Sequence, residues 1–337
     1  MTFNKRTIPA LGSIAAMLIL ILDSKTALAG VSDGIDLCLK VVIPSLFPFL
    51  ILSTLLTEST YGMKLWFLRP LCRLCRIPNE AAPLLLVGLI GGYPVGAQCI
   101  ARSWRNGQLS DSNAQRMLGF CSNAGPGFIF GMTAGLFDSM ALGWILWLIQ
   151  IVAILITGCL LPGNGYGASV CSRNKPLSPA VLLHQAISAM AYICGWVILF
   201  RTVITFCDRH LLHLLPQYAQ CLTAGILELT NGCCRLIQVP SEKVRLLLCS
   251  IFLSFGGIGV YMQTVSVTQG LGTGSYLKGK LLQTGISAVL AMLISLILFP
   301  SEPSNLCAAV LISAVLTIAL LIKFLHIKKN NSRNPML

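Results

Sequence analysis

Apolar stretches bounded by charge or by Gly and Pro recur at about 8–22, 41–57, 82–100, 117–137, 142–161, 180–206, 217–238, 246–268, 281–299 and 305–325. Helices are the expected form, because unpaired backbone amides and carbonyls cannot face lipid. Between the first two stretches, Asp33, Asp36 and Lys40 alternate with Leu28, Val31, Ile35 and Leu39, a pattern that predicts an amphipathic helix at the membrane interface.

Two stretches do not read as simple spans. Leu84–Ile100 carries Gly88, Gly91, Gly92, Tyr93, Pro94 and Gly96, and Tyr218–Val239 carries Gly225, Glu228, Asn231, Gly232 and Arg235. Backbone breaks at membrane depth persist only where protein or a water-filled cavity satisfies them. Both stretches are therefore expected to be re-entrant hairpins. The expected fold is an all-α polytopic membrane protein of about eight transmembrane helices plus two hairpins. An even number of spans puts both termini on one side, and the basic tail makes that side cytoplasmic. One loop runs against this charge rule, since Arg235, Lys243 and Arg245 would lie outside. If 217–238 spans and 246–268 is re-entrant, that loop moves inside, and the pattern leaves both arrangements open.

The starts of successive segments repeat. Span 41, hairpin 82, broken span 117 and span 142 are followed by span 180, hairpin 217, broken span 246 and span 281. Three spans separate matching elements, so the second set enters the membrane with opposite orientation. Such inverted repeats occur in transporters, with the substrate near the bilayer midplane where the repeats meet. The chain accordingly divides into 1–40 (first helix and interfacial segment), 41–162 (first repeat), 180–325 (second repeat and last helix) and 326–337 (basic cytoplasmic tail).

Composition agrees with the pattern. Of 337 residues, 55% are apolar and 10% charged, less than half the charge of a soluble domain, and the mean hydropathy is +0.79. The net charge of +13 gathers between apolar segments, at Lys64, Arg69, Arg73 and Arg76, at Arg102, Arg105 and Arg116, and at Lys323, Lys328, Lys329 and Arg333. That is the distribution of cytoplasmic loops, and no separate basic domain is available for nucleic acid. Most of the 14 cysteines lie in apolar stretches as small hydrophobes. Cys72 and Cys75 have CxxC spacing but no second pair or nearby His to complete a zinc site. Lys5, Arg6, the run 8–22 and Ala27-Leu-Ala29 resemble a signal peptide; an uncleaved first helix is the favoured expectation.

Ten of the 11 acidic residues fall at segment ends or in loops, and Glu228 falls inside an apolar segment. Burying an ionisable group there costs about 2.5–3.5 kcal/mol, and such groups usually face a bundle interior or an aqueous path. The bland alternative is a shallow hairpin whose Glu reaches the interface. In Gly91-Gly-Tyr-Pro-Val-Gly-Ala-Gln98, Gly91, Gly92, Pro94 and Gly96 let the backbone turn and expose its polar groups, with Gln98 adding a neutral donor and acceptor. In Cys121-Ser-Asn-Ala-Gly-Pro-Gly-Phe128, Gly125 and Pro126 break the helix and leave Ser122 and Asn123 at the break. Half-helix ends there direct dipoles at the bilayer centre. Gly256, Gly257 and Gln263 repeat the device in the second half, and Gly232 and Asn231 flank Glu228. A packing joint or a plain kink is the alternative for each. Arg201 and His184 are expected near the interface, with Arg201 snorkelling. Neither a phosphate-binding loop nor a protease or hydrolase signature is present, and no enzyme is expected.

Ile43-Pro-Ser-Leu-Phe-Pro-Phe49, Gly92-Tyr-Pro-Val-Gly-Ala-Gln98, Phe120-Cys-Ser-Asn-Ala-Gly-Pro126, Leu227-Glu-Leu-Thr-Asn-Gly232 and Ser254-Phe-Gly-Gly257 resemble the sporulation integral membrane protein YlbJ family. That family belongs to the nucleoside-recognition, or Gate, domain group. The resemblance runs from about residue 25 to 300 and departs at Ala124, where Ser or Thr is expected. It implies a cell-membrane protein of a spore-forming bacterium, in a membrane around the developing spore. It also implies a fold similar to concentrative nucleoside transporters, and a nucleoside-like or dipicolinate-like cargo. The site would be built by Gln98, Ser122, Asn123, Glu228, Asn231 and Gln263, with no cofactor. A coupling cation and a homo-oligomer are compatible with such a fold. The rival reading is a non-transporting scaffold that offers its basic loops to partners or anionic lipid.

Overall fold

The computed structural model describes residues 7–60, 65–163 and 178–301. Within them the chain is all-α and contains no strand. Five helical stretches are long and apolar enough to cross a membrane: Ser24–Leu56, Met140–Leu160, Pro179–His210, Glu242–Val267 and Gly274–Leu298. The 305–325 segment, Glu302, Arg173, Lys64, the tail and the first six residues lie outside the described residues.

Helix α1 (Thr7–Leu22) is apolar and exposed along its described length. Asp23 caps α2 (Ser24–Leu37), which passes through a π-helical turn (Cys38–Val42) into α3 (Ile43–Thr60). The segment expected to be an amphipathic interfacial helix thus runs on into a long helix and packs on α10 (Pro179–His210). Small residues permit the contact: a Cβ at Gly30 or Gly34 would meet the backbone of Thr202 or Ile198 at 2.8 Å. Asp23 also pairs with Arg209 at 3.2 Å, and Asp33 with Arg201 at 2.8 Å.

After α4 (Arg69–Leu74), the first glycine-rich stretch forms two short helices, α5 (Ala82–Ile90) and α6 (Val95–Arg105). Helix α7 (Asp111–Leu118), capped by Ser110, is separated from α8 (Pro126–Phe137) by an irregular segment. The long α9 (Met140–Leu160) follows. The order then recurs after α10. Two short helices, α11 (Gln217–Leu227) and α12 (Leu229–Arg235), are broken at Glu228. The pair α13 (Glu242–Phe255) and α14 (Gly257–Val267) is broken at Gly256, and the long α15 (Gly274–Leu298) follows.

Contacts between the two sets come in matched pairs. Helix α3 meets α10 and α9 meets α15; α6 touches α14 while α12 touches α8, and α7 touches α15 while α13 touches α9. Gln217 Nε2 donates to the Gln238 carbonyl at 2.7 Å, so the two ends of the α11–α12 segment lie together. Helices α13 and α14 instead form one 26-residue stretch. The three basic residues that strain the charge rule are engaged. Arg235 pairs with Asp208, Arg245 bonds the carbonyls of Leu136 and Val239, and Lys243 is buried.

Candidate functional site

All four helix breaks converge. A Cβ at Gly125 would lie 2.9 Å from Gly92 Cα, which joins the α5–α6 turn to the α7–α8 break. A Cβ at Gly257 would lie 3.2 Å from Glu228 Cα, which joins the α11–α12 break to the α13–α14 break. Across the halves, Tyr93 Oη donates to the Ser254 carbonyl at 3.0 Å. Positive φ angles at Gly92 (+81°), Gly256 (+78°) and Gly257 (+80°) make two of these turns, a conformation that side chains with a Cβ avoid.

Between the breaks lies a small cavity of about 40 Å³, room for a few water molecules. Its wall combines Ser45 of α3, Tyr93, Ala124 and Gly125 from the first set with Glu228, Thr230, Val260 and Gln263 from the second. Apolar side chains of α10, Ile193 and Val197, complete it. Glu228 is 1% exposed to the surface and extended, and serves as the N-cap of α12. One carboxylate oxygen accepts from the Asn231 amide N–H at 2.8 Å and from Asn231 Nδ2 at 2.7 Å. A carboxylate at a helix N-terminus is stabilised by unpaired amides and the helix dipole, which lowers the cost of burial. Asn231 Oδ1 in turn accepts from Arg201 at 2.9 Å, and Arg201 bonds Asp33. A polar chain leads from the buried Glu228 through Asn231 and Arg201 to the exposed Asp33.

The six residues expected to bind solute are distributed unevenly. Glu228 and Gln263 line the cavity. Asn231 stands behind Glu228 as its partner. Asn123 is buried, donating to the carbonyls of Gly88 (2.9 Å) and Phe120 (2.8 Å) and accepting from Lys280 Nζ (2.7 Å). Ser122 is buried with its hydroxyl unpaired. Gln98 lines a second, open and polar cleft with Arg102, Arg105, His184, Gln185 and Tyr192. At Ala124 the cavity wall carries a methyl group where a hydroxyl was expected.

Sequence reasoning missed Tyr93, Thr230 and Ser45 in the wall, and Lys280 beneath it. Lys280 is fully buried, bonds Gln283 Oε1 at 2.8 Å, and stands 5.0 Å from the Tyr93 ring centroid. Its position beside Lys278, at the start of an apolar run, makes it look like a loop residue. The recurrence of Gln283 three residues later, on the same helix face, was the available signal.

Sporulation integral membrane protein YlbJ of Bacillus subtilis (strain 168) is 32% identical to this chain over 163 residues, 47% of the chain and 39% of that protein. The chain thus matches less than two-fifths of its relative's length. No family model matches the chain, and no solved structure matches it. The likeness supports the resemblance that the motifs carry, and with the apolar helices it makes this a multi-pass membrane protein.

Proposed function

We propose that the chain is a transporter that moves a small polar solute, nucleoside-like or dipicolinate-like, through the cavity between the helix breaks during spore development. The observation that carries this reading is the buried cavity at the helix breaks, to which both sets contribute, with Glu228 and Gln263 facing Tyr93 and Ala124. A scaffold gains nothing from a buried carboxylate that faces a cavity and costs energy to insert.

In this reading 41–162 and 180–325 are inverted repeats, and α5–α6 and α11–α12 are re-entrant hairpins that gate access from opposite sides. The joined ends of α11–α12 favour 217–238 as the re-entrant segment over 246–268. Eight spans follow, with 305–325 as the last. The paired helix contacts support a two-fold relation of the halves like that of concentrative nucleoside transporters. Solute and, where transport is coupled, a cation occupy the cavity; catalysis and nucleic acid have no part, and the lipid bilayer or a second copy surrounds the bundle. Purified protein in liposomes tests the reading: labelled nucleosides or dipicolinate should enter faster than into protein-free liposomes. Equal entry of all of them would overturn it.

A further inference from the structure

Lys280 differs from the paired cations in what holds it. Lys40, Arg201, Arg209 and Arg235 each meet a carboxylate, whereas no carboxylate pairs with Lys280 among the described residues. Its fully buried ammonium donates to two neutral oxygens, Asn123 Oδ1 at 2.7 Å and Gln283 Oε1 at 2.8 Å. The rings of Tyr93 and Tyr276 stand at 5.0 and 5.8 Å.

Both amides are locked with oxygen inward. Asn123 spends its NH₂ on the carbonyls of Gly88 and Phe120. Gln283 directs its NH₂ to Gln150 Oε1 at 3.3 Å, and Gln150 directs its own to the Ser250 carbonyl and Ser287 hydroxyl. Turning either inner amide would set donor against donor. A shell of fixed neutral oxygens and ring faces suits a positive charge and offers no donor to a neutral amine.

We infer that Asn123, Gln283 and Tyr93 form a monovalent-cation site whose ion is the Lys280 ammonium, supplied by the chain itself. The α7–α8 break is thereby fastened to α15 without a free alkali ion. The inference does not depend on transport.

The test is the melting temperature of the full chain in detergent, titrated with Na⁺, K⁺ or ammonium at constant ionic strength. Wild type should be indifferent. Lys280→Ala should melt lower and recover by about 3 °C or more as one of these cations reaches several times its dissociation constant. Lys280→Met, which fills the space, should melt lower without recovery, and Asn123→Ala added to Lys280→Ala should abolish it. A Lys280→Ala protein insensitive to all three cations, or a wild type as sensitive as the variant, overturns the inference. Should Lys280→Ala fail to fold, Gln283→Glu against Gln283→Leu decides. A carboxylate beside an ammonium should melt above Leu, and melting at or below Leu refutes the site.

Discussion

At the scale of single residues, Glu228 and Arg116 pose opposite problems. Glu228 is buried beside a cavity, and Arg116 among backbone carbonyls. Glu228→Gln retains size and an acceptor for the Asn231 amide, and loses the charge. On the proposed function, uptake should fall by about tenfold to hundredfold, the worth of charge-assisted hydrogen bonds to a solute or cation. Folding and insertion should be intact, because a neutral amide is easier to bury. Asp36→Asn, which removes only an exposed pair with Lys40, is the control, and unchanged uptake in Glu228→Gln at matched protein level would refute the role. Arg116 lines neither the cavity at the breaks nor the second cleft. Its guanidinium donates to four carbonyls, those of Cys75 and Gly158 at 2.6 Å and of Arg76 and Leu161 at 3.1 Å. Arg116→Met should cost on the order of 3 kcal/mol or more by orphaning those acceptors. A melting curve reads that loss, and Arg116→Lys should recover only part of it, since an ammonium cannot fork.

At the scale of elements, the short helices depend on absent side chains. A Cβ at Gly96 would strike the Cys121 carbonyl, and one at Gly232 would strike Gly225 Cα. Gly96→Ala and Gly232→Ala should each destabilise by about 1–3 kcal/mol, the usual cost of overpacking. Gly131→Ala, with nothing within 4 Å of the added carbon, should leave the melting temperature nearly unchanged. The breaks themselves were legible in the sequence, since Gly91-Gly92, Gly125-Pro126 and Gly256-Gly257 punctuate otherwise apolar runs. The inward facing of side chains was not. Ser122 and Asn123 are adjacent to a break and yet point into packed protein, because position along a chain does not fix rotation about it. Gln98 sits seven residues past Gly91 on α6 and so reaches a different cleft. Lys280 was hidden for another reason: a cation at the edge of an apolar run reads as a loop until its distant partner Asn123, 157 residues away, is in view.

At the scale of the whole molecule, charge separates the two ends of the bundle. Arg102 and Arg105 sit with the start of α10 and the end of α14. Asp23 sits with Arg209 and Asp208 with Arg235 at the far end of α10. Single cysteines in a cysteine-depleted background should therefore be labelled from the cytoplasmic side near positions 73 and 102, and from the outer side near 138 and 208. External labelling near position 102 would mean that α5–α6 crosses the membrane. The basic-loop distribution predicts this arrangement except at 235–245, where three basic residues run against the charge rule. In the folded chain Arg235 pairs with Asp208, Arg245 bonds Leu136 and Val239, and Lys243 is buried.

That engagement bears on how the chain is made. Insertion machinery acts on a growing polypeptide, before the packing that buries Lys243 has formed. Asp208 emerges 27 residues ahead of Arg235, so the carboxylate is already at its station when the arginine arrives. On the proposed topology, an early anion then meets a late cation that the charge rule would retain in the cytoplasm. Asp208→Asn should accordingly yield a fraction of newly made chains with 235–245 facing the cytoplasm, seen as protection from an externally added protease.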